Sequence, residues 1–127
     1  MVFRKQRRRT SATRVRLRLI KWESNDWGDA EMEQVVQVLP MCKQLEGLAL
    51  GYSPQKYTEA AGRTLAQLLR SGAVPKLVKI GARVTALMTS EELNEACKAR
   101  RIILTDDCEL FQLTPDWIEQ ERIAQGL

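Results

Sequence analysis

Leu45-Glu-Gly-Leu-Ala-Leu-Gly-Tyr52 is an LxxLxL stretch with leucines at 45, 48 and 50, and its neighbours decide how the chain is read. A short apolar run of this kind is a buried strand when helical patterns flank it on both sides. Before it, Met32, Val35, Val36 and Leu39 fall at i, i+3, i+4 and i+7, one face of a helix that Asp29 can cap and Pro40 ends. After it, Ser53 and Pro54 turn the chain into a second helix over about 58–70. Its stripe is Ala61, Leu65, Leu68 and Leu69, and Gly72 stands where a left-handed C-cap belongs.

Working outward, residues 14–20 alternate, with Val15, Leu17 and Leu19 on one face and Arg14, Arg16 and Arg18 on the other. Period-2 alternation predicts a half-buried strand, whose arginines suit a charged edge or a docking surface. Val74 to Gly81 reads as a third strand, with Lys76 and Lys79 among its polar positions. Thr89 with Glu92 forms a capping box, and Met88 with Leu93 a hydrophobic staple, for a helix that buries Leu93, Ala96 and Cys97. Ile102 to Thr105 is the fourth strand. Thr114, Pro115 and Asp116 start a last helix that ends near Gly126 and is expected to cover the open end of the sheet. Alternating strand-helix units imply an α/β fold with a parallel four-stranded sheet, right-handed crossovers and a C-terminal capping helix.

At 127 residues the chain has room for one core. Aromatic residues make up only 6%, so aliphatic side chains must build that core. No apolar run approaches the ~18 residues that span a bilayer, so a soluble or peripheral protein with no transmembrane segment is expected. The net charge of +4 hides an asymmetry. Residues 1–21 carry nine Lys/Arg and no acid, whereas the remaining 106 residues carry eleven basic and sixteen acidic side chains. The domain organisation is a basic arm, residues 1–13, on a single α/β domain, residues 14–127.

The chemistry-bearing residues are few. Histidine is absent, which removes the commonest general base and metal ligand. Cys42, Cys97 and Cys108 make no CxxC pair and suit a reducing intracellular compartment. Cys108 stands beside Asp106 and Asp107, whose negative charge raises a thiol pKa. The acids Asp26, Asp29, Glu31 and Glu33 lack calcium-loop spacing and complement a helix dipole. Asp106, Asp107 and Glu109 read as turn acids. No catalytic residue, metal site or cofactor is therefore expected.

Residues 35–50, Val-Val-Gln-Val-Leu-Pro-Met-Cys-Lys-Gln-Leu-Glu-Gly-Leu-Ala-Leu, resemble the ribonuclease-inhibitor-like class of leucine-rich repeats. The following helix, with Ala60, Ala61, Leu65, Ala66 and Leu69, is similar to the convex helix of that class, and residues 95–104 to a closing repeat. The resemblance implies a short, degenerate arc of three to four units. The aligned strand positions Leu17, Leu48, Ile80 and Ile102 depart from a regular period of about 20–29 residues. It also implies a concave face of Arg16, Arg18, Gly47, Ala49, Gly51, Lys79, Gly81, Ile103 and Thr105.

The function expected is a non-catalytic interaction or scaffold module, an accessory subunit of a larger assembly. Candidate partner-binding residues are Arg4, Lys5, Arg7, Arg8, Arg9, Arg14, Arg16, Arg18, Trp22 and Trp27. The two tryptophans serve either as contact anchors or as a cap on the end of the core. The alternative partners are nucleic acid, through salt-dependent phosphate contacts, and an anionic membrane surface. Repeat domains of this type also occur on organellar membrane complexes, and the Arg-rich, acid-free start has the composition of a transit peptide. Neither plastid nor mitochondrion is selected by the residues.

Overall fold

The computed structural model describes residues 17–22, 28–50 and 57–127. The elements are β1 (Leu19–Trp22), α1 (Asp29–Val38) running into a 3-10 turn (Leu39–Met41), β2 (Gly47–Leu50), α2 (Glu59–Arg70), β3 (Lys79–Ala82), α3 (Thr85–Met88), α4 (Glu91–Ala99), β4 (Ile103–Thr105) and α5 (Pro115–Gln125). All four strands are parallel and lie in chain order, β1-β2-β3-β4. The protein is α/β, with a four-stranded parallel sheet and a C-terminal helix.

A sheet whose strands advance one way through right-handed crossovers keeps its connecting helices on one face. Accordingly α2 packs between α1 and α4. The strand partners Ile20, Leu48, Ile80 and Leu104 point into this layer and join Met32, Leu39, Leu65, Leu69 and Leu93 in the main core. The other face carries the rows Leu19, Gly47, Lys79, Ile103 and Lys21, Ala49, Gly81, Thr105.

Several local expectations need correction. β1 starts at Leu19, and it is Ile20 that enters the core while Leu19 faces the other side. The bend at Arg18 changes the parity, so Leu17 also packs against the main core. The aligned strand positions are therefore 20, 48, 80 and 104, separated by 28, 32 and 24 residues. β3 begins at Lys79 rather than Val74. Val74 instead sits in a turn at φ 47°.

Caps shift as well. Gly28, not Asp29, is the N-cap of α1, with Glu31 accepting from its N–H. The Asp29 carboxylate is used elsewhere, accepting from the backbone N–H (2.9 Å) and the hydroxyl of Thr58, the N-cap of α2. Ser90 rather than Thr89 caps α4, its Oγ accepting from Leu93 N–H, because the short helix α3 consumes Thr89, whose hydroxyl donates to Thr85 C=O. The Thr114–Pro115 start, the Gly72 turn at φ 85° and the Gly126 C-cap at φ 73° follow the sequence expectation.

Two arginines brace the left-handed turns. Arg100 donates to the carbonyls of Leu69, Ala73 and Val74, closing the C-terminal end of α2. Arg122 donates to the carbonyl of Arg101, itself at φ 56°. A side chain at that φ costs ~1–2 kcal/mol that glycine does not incur. Arg101 is exposed and its carbonyl stays available to Arg122. Arg101→Gly is thus expected to raise stability by ~1 kcal/mol in urea unfolding.

Gly62 is a close-approach position. A Cβ there would meet the Oγ of Ser90 and stand 2.6 Å from its Cβ, where Ser90 is buried and already engaged as a cap. Gly62→Ala gains helix propensity but is expected to lose ~1–2 kcal/mol net through overpacking, read from the same urea midpoints.

Candidate functional site

Of the ten candidate contact residues, Arg4, Lys5, Arg7, Arg8, Arg9, Arg14, Arg16 and Trp27 lie outside the described residues, as do Asp26 and Gly51. Arg18 and Trp22 are described. Arg18 donates through Nε (3.1 Å) and an Nη (2.8 Å) to the two oxygens of Glu46, a forked pair on the rim of the sheet. Its backbone carbonyl also accepts from Glu46 and Gly47 N–H. Arg18 is raised by the hydrogen bond and charge of Glu46, and the same hydrogen bond holds the Glu46 carboxyl below its ordinary range. Trp22 is half-buried, pairs in register with Leu50 and packs against the main core.

The sheet face expected to be an open concavity is covered by the chain itself. After β4 the backbone doubles back across β3 and β2. The position a Gly81 Cβ would take lies 2.9 Å from Cys108 Cα. That of Gly47 lies 2.7 Å from Leu113 and 3.1 Å from both Leu110 and Leu19. Ala49, Cys108 and Leu110 form a second, small apolar cluster on this side. Gly47, Ala49 and Gly81 are thus small because residues 107–113 lie on them, and Leu19 and Lys21 occupy the β1 positions assigned to Arg16 and Arg18. The alternation of residues 14–20 gave the wrong parity because Arg18 bends the chain.

Lys79 anchors this crossing. Its side chain is fully buried, and Nζ donates to the carbonyl of Glu109 at 2.6 Å, stands 3.7 Å from Asp107 and lies 4.7 Å from the centre of the Trp117 ring. A buried ammonium requires such partners. The sequence placed Lys79 on this face but carried no local sign of burial, because its partners come from 28 to 38 residues downstream.

An open cleft of about 750 Å³ lies at the carboxyl ends of β3 and β4, lined by Arg83, Thr85, Asp106, Asp107 and the apolar Ala82, Val84 and Met88. The Asp107 carboxylate is committed to the fold, accepting from Glu109 N–H and facing Lys79. Among the described residues no group of three His, Cys, Asp or Glu side chains could hold a metal ion. The three thiols are buried and unpaired with one another. Burial pushes Cys42 up to about 11 and Cys97 to about 12, and raises Cys108 as well. For Cys108 burial is the largest cause and Asp107 the smallest, so Asp107 acts in the expected direction but does not dominate. Tyr57, buried beside Glu31 and Asp29, is pushed up to about 12, chiefly by burial.

Among the described residues no helix is long and apolar enough to cross a membrane. Comparison with protein-family models, curated proteins and solved structures returned no match.

The Arg18–Glu46 pair generates a pH prediction. A carboxyl whose folded pKa is lowered adds stability that is present above the ordinary carboxyl range and is lost as pH falls through the folded value. Glu46→Gln should therefore lower the urea midpoint slightly at neutral pH, a small effect because the pair is solvent-screened. The difference from the unsubstituted chain should vanish on acidification below the carboxyl range.

Proposed function

We propose that the chain is a non-catalytic interaction module, an accessory structural subunit of a larger assembly, docking through its basic N-terminal arm and the neighbouring strand edge. The observation that carries this reading is the charge distribution, nine Lys/Arg and no acid within residues 1–21 ahead of a net acidic remainder. Such a segment is a ready ligand for an acidic surface on another subunit. The Arg18–Glu46 fork supports it, since it braces the chain just before β1, on the side of the basic N-terminal residues. The thiols support the non-catalytic part, because burial keeps them from the thiolate that nucleophilic chemistry requires.

The body is read as a short, degenerate leucine-rich-repeat arc. Parallel strands in chain order with helices layered on one side support this, and the spacings of 28, 32 and 24 make it irregular. With the middle of the sheet face covered by residues 107–113, docking falls to the arm and the rim around Arg18 and Trp22. Three buried, unbridged cysteines favour a reducing intracellular compartment. The faces of organellar membrane complexes are one setting for such a subunit.

The second reading is an RNA or ribosome-associated protein, favoured by the same arm through phosphate contacts. Anionic lipid would gain roughly 1 kcal/mol per basic residue near the surface. A pull-down of the full chain beside one lacking residues 1–13, at low and then moderate salt, separates these. Defined proteins held through moderate salt and released by the truncation are the expected result. Nucleic acid that washes away steeply with salt would replace the first reading with the second.

A further inference from the structure

The segment 106–127 is seated on the sheet by its first residues, and its helix packs thinly. α5 buries none of its residues, and Phe111 and Ile123 are 76% and 68% exposed. Its apolar seat on the sheet is the Ala49, Cys108, Leu110 cluster, separate from the main core. Lys79 reaches the Glu109 carbonyl, Asp107 and Trp117 at once, and further polar ties are Arg122 donating to the Arg101 carbonyl and the Cys108 thiol donating to the Leu50 carbonyl. If the segment lifts, water solvates the ammonium, while the helix-side core is a separate cluster. Local opening of this kind is set by the few contacts broken rather than by global stability.

We propose that residues 106–127 form a strap that lifts from the sheet as one unit, with Lys79 as its latch, and that the uncovered face receives an extended acidic segment of a partner protein. The strap displays the chemistry that fits. Asp107 and Glu109 flank the small Cys108 and precede Leu110, while the backbone at 107–108 lies in the space left by the missing side chain of Gly81. An incoming segment would meet the same glycines and offer Lys79 a carbonyl or carboxylate in place of those of the strap.

The chain carries its own reporters, since Cys108 is buried on the sheet side of the strap and Cys42 and Cys97 lie in the main core. Iodoacetamide labelling of the native full chain, read for each cysteine by mass spectrometry, is expected to modify Cys108 at least ~10-fold faster than the other two. Lys79→Met removes the donor, and Gly81→Ala drives a methyl into strap backbone. Each should speed Cys108 labelling a further ~10-fold and leave Cys42 and Cys97 protected, which also certifies that the variant is folded. A synthetic peptide of residues 106–113 carrying Cys108→Ser, in excess, should hold the face open and raise Cys108 labelling, whereas its scrambled version should not. A common rate for all three cysteines, equal acceleration of all three by the substitutions, or no response to the peptide overturns the proposal. The peptide experiment rests on the interaction-module reading. The labelling rates do not, and the pull-down probes a different part of the chain, so the two ideas fail separately.

Discussion

The row Ile20, Leu48, Ile80 and Leu104, one side chain from each strand, is the contact on which the architecture depends. It forms only if the strands are parallel and in register, and parallel neighbours require a crossover between each pair. The crossovers carry α1, α2 and the α3–α4 pair, and their common hand sends them to the same side. Apolar burial therefore concentrates between one sheet face and one helix layer. The opposite face is left with nothing from the crossovers to cover it.

That second face is solved differently. Its rows are two glycines, an alanine and a buried lysine with Leu19, Lys21, Ile103 and Thr105 around them, too little apolar surface for a helix layer of its own. An extended segment fits instead, because glycine lets backbone lie on backbone. The lysine supplies what an extended segment lacks, a donor for a carbonyl that has no ladder partner, while its methylene stem fills the gap between strands. The two faces thus differ in kind, one held by packed leucines and the other by a polar latch over a small cluster. Unequal stability across the sheet follows from that difference.

The same asymmetry shapes the functional picture. Arg18, just before the edge strand β1, is held by its fork to Glu46. Among the described residues, several reactive side chains take structural roles. Asp29 ties two helix starts together, Asp107 orders the turn after β4, and the thiols serve as small apolar residues.

Local pattern alone determined the alternation of strands and helices, the parallel α/β architecture, the helix stripes and the caps at Thr114, Gly72 and Gly126, because periodicity and capping act within a few residues. It misplaced the β1 parity, since the bend at Arg18 breaks the alternation after Leu17, and it is Ile20 that stands in register with Leu48. Among helix starts it missed by one residue at Gly28 and Ser90, where adjacent residues offer competing caps. Of the site, it marked Arg18 and Trp22 as candidates and put Gly47, Ala49, Lys79 and Gly81 on one face, but took that face to be open. Residues 106–114 have no period to declare them, and Lys79 meets Glu109 and Trp117 only once four strands have been laid side by side. Burial of a charge, and the covering of a face, are decided by distant segments meeting in space, which only the tertiary structure specifies.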